Sequence, residues 1–289
     1  MNHQNSKVEL SEIIMETRKD LRREKELTPL NILKDEIEAS KRSNSKSKVI
    51  FPENDIKNFR KSLDHDHDVA VICEFKTSSP SMGNISNSSL EDALKVFEQS
   101  GTSAISIITE KKYFKGSMDN LRSACNITKL PIIRKDFIIH KYQIYQAKLA
   151  GASCVLLISG IYPDLEEGIF ICRELGMYAL VECRNREDII SALKAGADIL
   201  GINNRNFQNF RVDLKTTEKL AGYVPPEVIL VSESGVHDAN DALKLSKYGV
   251  DALLVGTSIM GASGKNGMLN TASSIIKTLK GARVVRNAS

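Results

Sequence analysis

From about residue 69 onward one unit recurs along this chain: a helix-like stretch, a glycine, one or two small or polar residues, then a short apolar run. It stands at Gly101-Thr102-Ser103-Ala104-Ile105, Gly151-Ala152-Ser153-Cys154-Val155, Gly176-Met177-Tyr178-Ala179-Leu180, Gly196-Ala197-Asp198-Ile199-Leu200 and Gly249-Val250-Asp251-Ala252-Leu253. Glycine after a helical stretch supplies the left-handed position that ends it, and the chain then enters a strand. Strands that alternate with helices pair in parallel, because a parallel neighbour is reached only through a crossover. Apolar runs near 69–76, 103–109, 131–136, 153–158, 178–182, 198–203, 228–234 and 251–256 predict eight strands. Eight such units in roughly 210 residues match an α/β fold of the (β/α)8 TIM-barrel type. A doubly wound open sheet is the alternative, but no Gly-x-Gly-x-x-Gly follows the first run. Helix starts are marked by the capping-box pattern Ser88-Ser89-Leu90-Glu91, before a helix over 89–99, and by Asn185, before one over 186–195.

The first 65 residues lack this unit. Leu10, Ile13, Ile14 and Leu21 recur at helical spacing, as do Leu30, Leu33 and Ile37, with a break at Pro29. The expectation is an N-terminal helical extension of two or three helices over 1–65, packed on a barrel over 66–289, in one domain overall. Their apolar stripes must cover either the barrel or a partner. The polar stretch Lys41 to Lys48 reads as a flexible loop.

Bulk properties narrow the function classes. No apolar run approaches the ~20 residues of a membrane span, and Met1 to Leu10 holds no signal-peptide core, so a cytoplasmic protein with no membrane contact is expected. Cys73, Cys125, Cys154, Cys172 and Cys183 are scattered with no Cys-x-x-Cys pair, as expected of reduced core thiols. Cys73 and Cys183 each adjoin a strand-end glutamate and so face the other side of the strand. The net charge is +4, and residues 1–63 hold 14 Lys/Arg against 11 Asp/Glu, so most of the basic excess belongs to the extension. With no Trp and no basic-aromatic interleaving, a nucleic-acid surface is not indicated, and a small anionic substrate fits better. Asp64-His65-Asp66-His67-Asp68 resembles a metal cluster but lies in the polar lead-in to the first strand and reads as a solvated loop. His140 and His237 begin helical stretches, where capping or surface roles are the default. No P-loop, nucleophile elbow or His-Glu-x-x-His is present, so neither a metal nor a nucleotide cofactor is indicated.

Three buried runs end in charge. Ionised groups at the ends of strands buried on both faces are costly unless they do something there. Glu74 and Lys76 share a face of the first strand with Ile72 below, Lys135 shares its face with Ile133, and Glu182 with Leu180. Asn203 and Glu233 close the sixth and seventh strands. In a barrel these C-terminal ends converge on one catalytic mouth. Ser234-Gly235-Val236 and Gly256-Thr257-Ser258 follow strands seven and eight, the usual barrel site for a phosphate, and Ser79-Pro80-Ser81 can add a hydroxyl.

Together these segments resemble the indole-3-glycerol-phosphate synthase family of tryptophan biosynthesis. The resemblance rests on Glu74-Phe75-Lys76 with Ser79-Pro80-Ser81, Thr109-Glu110-Lys111-Lys112-Tyr113-Phe114 with Gly116-Ser117, and Lys135-Asp136-Phe137. It continues through Leu156-Leu157-Ile158, Glu182, Gly201-Ile202-Asn203-Asn204-Arg205, Ser232-Glu233-Ser234-Gly235 and Gly256-Thr257-Ser258. It implies ring closure, decarboxylation and dehydration of 1-(2-carboxyphenylamino)-1-deoxyribulose 5-phosphate, with no cofactor. It further implies that Lys135 is the ring-closing general acid and that Glu74 and Glu182 stabilise the cation formed. Lys76, Glu74 and Glu182 share the remaining proton transfers, and Asn203 and Glu233 orient hydroxyls and the lysine. Phe114, Phe137 and Arg205 would line the anthranilate pocket; Ser79, Ser234, Gly235, Gly256 and Thr257 would hold phosphate. The implied partners are this phosphosugar-anthranilate substrate and other tryptophan-pathway enzymes. Met82 and Phe207 depart from the family's pattern, where a basic residue and a leucine are commoner. A phosphoribosylanthranilate isomerase, which would be expected to carry a cysteine and an aspartate at strand ends, a Schiff-base aldolase and a silent phosphosugar-binding barrel are the rival readings.

Overall fold

The computed structural model describes residues 9–42, 59–206 and 211–286. Each predicted apolar run forms a strand within a residue of its expected bounds: β1 (Ala70–Phe75), β2 (Ala104–Ile108), β3 (Ile132–Lys135), β4 (Cys154–Ile158), β5 (Tyr178–Cys183), β6 (Ile199–Asn203), β7 (Ile229–Glu233) and β8 (Ala252–Val255). Every neighbouring pair is parallel and β1 pairs with both β2 and β8, so the sheet closes into a barrel. This is the expected (β/α)8 architecture.

The helices are α1 (Leu10–Leu27), α2 (Leu30–Arg42), α3 (Phe59–Leu63), α4 (Leu90–Ser100), α5 (Met118–Ile127), α6 (Lys141–Leu149), α7 (Leu165–Glu174), α8 (Arg186–Lys194), α9 (Lys215–Leu220), α10 (Ala239–Ser246), α11 (Thr257–Met260) and α12 (Gly264–Thr278). The five glycines of the repeat all have positive φ, between 65° and 90°, as a helix-terminating residue requires. Asn185 caps α8 as expected, its Oδ1 accepting from Asp188 N at 2.8 Å. The capping box before α4 is displaced by one residue: Ser89 is the cap and accepts from Asp92 N, because the helix starts at Leu90. His140 caps α6 through Nδ1, which accepts from Tyr142 N.

Alternation along each strand builds two cores. Ile72, Ile133, Leu156, Leu180, Val231 and Leu254 fill the barrel interior, while residues one step away, such as Cys73, Ile105, Val155 and Cys183, pack outward against the helices. The apolar stripes of the N-terminal helices cover the barrel itself. Phe59 and Leu63 of α3, both fully buried, join Ala70 and Ala104 at the N-terminal end of the strands. Ile13 of α1 joins the same interior core with Phe114 and Phe137, at the opposite end. Leu21 and Leu33 pack with Tyr142 of α6, whose hydroxyl reaches the carbonyls of Glu24 and Thr28. Below the barrel, buried Asp251 is clamped by Arg283 (2.7 Å) and Arg286 (2.9 Å) and accepts from Leu230 N. The Asp64–Asp68 segment serves this region too: Asp68 accepts from Gly281 N, and Arg283 reaches the His65 carbonyl. The loop expected at 41–48 lies, from residue 43 onward, outside the described residues, as does Phe207.

Candidate active site

Strand geometry delivers the charged residues to one rim. Glu74 ends an inward-facing series on β1 and lies opposite Ser106 of β2, while Lys135 closes β3 beside Ile108. Glu182 on β5 stands opposite Gly201 of β6, and Asn203 of β6 opposite Glu233 of β7. The Lys135 ammonium lies between two of these carboxylates, 3.9 Å from Glu74 Oε2 and 3.8 Å from Glu233 Oε2. Lys76, one residue past β1, binds Glu74 Oε1 at 2.8 Å. Glu74, Glu182 and Glu233 are buried, whereas Lys135 keeps 21% of its side chain exposed toward the mouth.

The three carboxyls are electrostatically unequal. Burial pushes Glu74 upward, but Lys76 and Lys135 outweigh it and hold the group below the ordinary carboxylate range. Glu182 is raised, because burial exceeds what Lys135 and the nearby Asn203 amide return. Glu233 is raised by burial and then by the neighbouring Glu182 charge, with Lys135 compensating only in part. Burial would lower the Lys135 ammonium, yet Glu74, Glu233 and Glu182 together hold it above the usual lysine value. Glu74 therefore stays anionic and Lys135 cationic across neutral pH, while Glu182 and Glu233 titrate as a pair. Both oxygens of Glu182 and of Glu233, and Oε2 of Glu74, make no hydrogen bond to the described residues. They present unused acceptors to whatever enters the mouth.

Beside Lys135 and Glu182 an apolar pocket is walled by Ile108, Phe114, Phe137, Leu156 and Ile158. The Phe114 and Phe137 rings are 6.3 Å apart and inclined by 43°. A second cleft, of ≈ 920 Å³, is lined in part by Asn203, Arg205, Arg184 and Arg211. Asn203 Oδ1 accepts from Arg205 N at 2.9 Å, which ties the residue closing β6 to the cationic one after it. Ser234 (φ 65°) and Gly235 (φ 96°) make a sharp turn after β7. Ser258 Oγ donates to Val236 O at 2.8 Å, joining this turn to the loop of Gly256 and Thr257 after the adjacent β8. Ser79 is buried in a short hairpin (Ser78–Ser79 with Gly83–Asn84) that follows β1, the other neighbour of β8, and Met82 is exposed at the turn of that hairpin.

Two residues that the sequence offers only as motif positions, with no role assigned, organise the mouth. Glu110 accepts from the backbone N–H groups of Lys112, Tyr113 and Phe114, shaping the loop that carries the Phe114 ring. Lys111 and Lys112 of that loop pair with Glu24 and Glu16 of α1, fastening the N-terminal helix across the mouth. Asn204, also buried, donates to Ser232 Oγ and Ser234 O and accepts from Thr217 N and Oγ1, holding the turn after β7 from below. A carboxylate two to four residues before three consecutive backbone donors is the only local signal for Glu110; Asn204 has none, since its partners come from three elements.

Residues 10–271 match the family described as indole-3-glycerol phosphate synthase. An indole-3-glycerol phosphate synthase of Methanothermobacter marburgensis is 47% identical over 215 residues, covering 74% of this chain and 78% of its own. One from Caldanaerobacter subterraneus is 40% identical over 253 residues, covering 87% of this chain and 93% of its own. Among solved structures, 3-hexulose-6-phosphate synthase from Salmonella typhimurium superposes with a TM-score of 0.59 at 15% identity, covering 73% of this chain and 98% of that one, a likeness of fold alone.

Proposed function

This chain belongs to the indole-3-glycerol phosphate synthase family, and from that premise we propose how its residues divide the reaction. The activity is conversion of 1-(2-carboxyphenylamino)-1-deoxyribulose 5-phosphate into indole-3-glycerol phosphate, carbon dioxide and water, in tryptophan biosynthesis. The observation that carries the division is one ammonium, Lys135, held between buried Glu74 and Glu233 at the edge of an aromatic pocket.

The ring-closing step joins the carboxylate-bearing aryl carbon to the sugar ketone carbon. The ketone oxygen takes a proton from Lys135, which its acidic neighbours keep protonated and so able to donate rather than to attack as a free amine. The product is an iminium, which accepts the electron pair released when carbon dioxide leaves. Glu74, anionic throughout, stabilises that positive charge in a site shielded from water. Loss of the new hydroxyl as water then needs a second acid and a base. Lys76, paired with Glu74 at 2.8 Å, is the acid. Glu182 is the base, because its raised affinity for protons brings it toward the working pH, whereas Glu74 is displaced the other way. Glu233 and Asn203 orient the sugar hydroxyls and Lys135. Phe114 and Phe137, tilted against each other, line the pocket for the anthranilate ring and Arg205 takes its carboxylate. Backbone N–H groups of Ser234, Gly235, Gly256 and Thr257, with the Ser79 hydroxyl, take the phosphate.

The N-terminal helices, to about residue 65, belong with the barrel in one domain. We place the enzyme in the cytoplasm, with other enzymes of the pathway as its protein partners; among the described residues no helix is long and apolar enough to cross a membrane. Incubation with the carboxyphenylamino-deoxyribulose phosphate, followed by indole fluorescence, is the test. Wild-type chain turns over and Lys135→Ala does not. Undiminished turnover in that variant, or a borohydride-trapped adduct on Lys135, would replace the general acid by another group or by a Schiff base.

A further inference from the structure

Two glycines stand where the backbone asks for none. Gly201 lies within β6, on the interior face between Glu182 of β5 and Val231 of β7. It is not among the residues with positive φ, so an L-residue fits its backbone. A Cβ built there falls on Glu233 Oε1, far inside van der Waals contact, and 3.3 Å from Leu180 Cδ1. Gly256, just after β8, has φ −127°, outside the left-handed region that calls for glycine. A Cβ there lies 2.7 Å from Glu74 Oε1 and 3.0 Å from Glu74 Cβ. Gly235 differs, since its φ of 96° disfavours a side chain whatever surrounds it. At Gly201 and Gly256 the missing methyl is occupied instead by a carboxylate.

We propose that Gly201 and Gly256 are positioning residues that seat Glu233 and Glu74 against Lys135. The proposal rests on the reading of those two glutamates as working groups. Gly201 opens a notch in the interior layer between Glu182 and Val231, and the Glu233 carboxylate leans into it from the layer above. That seat sets the 3.8 Å separation from Lys135 and brings Glu233 under the influence of Glu182. Gly256 leaves the wall beside β1 open, so that Glu74 can hold Lys76 with one oxygen and face Lys135 with the other. A methyl at either position forces the carboxylate to a new rotamer or the strands apart. Displacement of a catalytic group by about 1 Å costs on the order of 100-fold in rate.

The experiment compares full-length Gly201→Ala, Glu233→Ala and the double variant by indole fluorescence and thermal melting, with Gly256→Ala and Glu74→Ala as a parallel set. Gly201→Ala is expected to lower kcat by roughly 100-fold while KM stays within about threefold. In the Glu233→Ala background the same change should cost nothing further, because the group it displaces is gone. If Gly201→Ala alone fails to fold, recovery of the fold in the double variant supports the same clash. Wild-type kcat in Gly201→Ala, or an equal further loss in the Glu233→Ala background, overturns the proposal. An impaired Glu233→Ala beside a normal Gly201→Ala overturns this inference alone; wild-type turnover in Glu233→Ala overturns the role of Glu233 and the inference with it.

Discussion

Replacing Lys135 by methionine keeps the side chain's length and removes its charge, so it isolates what the ammonium does. In the native site that charge lies 3.8 Å from Glu233 and 3.9 Å from Glu74; at an effective dielectric constant near 20, each pair attracts by roughly 4 kcal/mol. Each lost attraction favours the protonated form of the carboxyl concerned. Glu74 retains Lys76 at 2.8 Å and stays ionised. Glu182 and Glu233 lose their principal cation, and both already hold protons more tightly than an ordinary carboxyl. The variant is therefore expected to carry about one more proton on this pair at neutral pH. It should also turn over about 100- to 10,000-fold more slowly, the usual worth of a general acid. Infrared difference spectroscopy against the wild type reads the first effect as a new protonated-carboxyl band, absent from Lys135→Met/Glu182→Gln/Glu233→Gln. Fluorescence assays read the second. Slow turnover without the band would refute the electrostatic reasoning, and the band with unchanged turnover would refute the role of Lys135 as acid.

Glu182→Gln should melt above the wild type in alkaline buffer. The folded pKa of Glu182 lies above its unfolded value, so the native state retains a proton that the unfolded chain has lost, and stability falls as pH rises from the ordinary carboxylate range through the raised value. Melting curves across pH should show the gap closing below the ordinary carboxylate range; a constant gap counts against the shift. Glu110→Ala strands three backbone donors and loosens the loop of Phe114; a loss of about 2 kcal/mol raises KM by roughly 30-fold, with Glu110→Gln intermediate. Steady-state kinetics with KM unchanged in both variants would remove Glu110 from the site. Asp251→Ala leaves two arginines without their shared carboxylate and should cost about 3–5 kcal/mol of stability in denaturant melts. Because Asp251 sits at the far end of the barrel, kcat below the melting range should be unaffected.

Legibility followed the distance over which each feature is specified. The repeat's glycines and apolar runs placed eight strands to within a residue, since helix termination and burial on both faces are decided by a few consecutive positions. Alternation then assigned faces: Glu74, Lys135 and Glu182 inward, Cys73 and Cys183 outward, as the interior and outer cores bear out. The capping box before α4 slipped by one residue because Ser88 and Ser89 are equivalent in local pattern, and only the seating of Leu90 on the barrel selects between them.

Closure of the sheet decided the rest. Glu74, Lys135 and Glu233 are separated by 61 and 98 positions in the chain, and only the barrel brings both carboxylates within 4 Å of the Lys135 ammonium. The unequal proton affinities of the three carboxyls follow from that proximity and from burial, neither of which a strand carries alone. The same holds for α1 fastened over the mouth by Glu16 and Glu24, and for Gly201, which the sequence offers as a motif position with no role of its own. The sequence by itself determined the alternation, the facing of each strand and the residue types offered at the rim, because these depend on backbone period. Tertiary structure alone decided which carboxylate keeps its charge and which glycine makes room for it, because both depend on groups that meet only across the closed barrel.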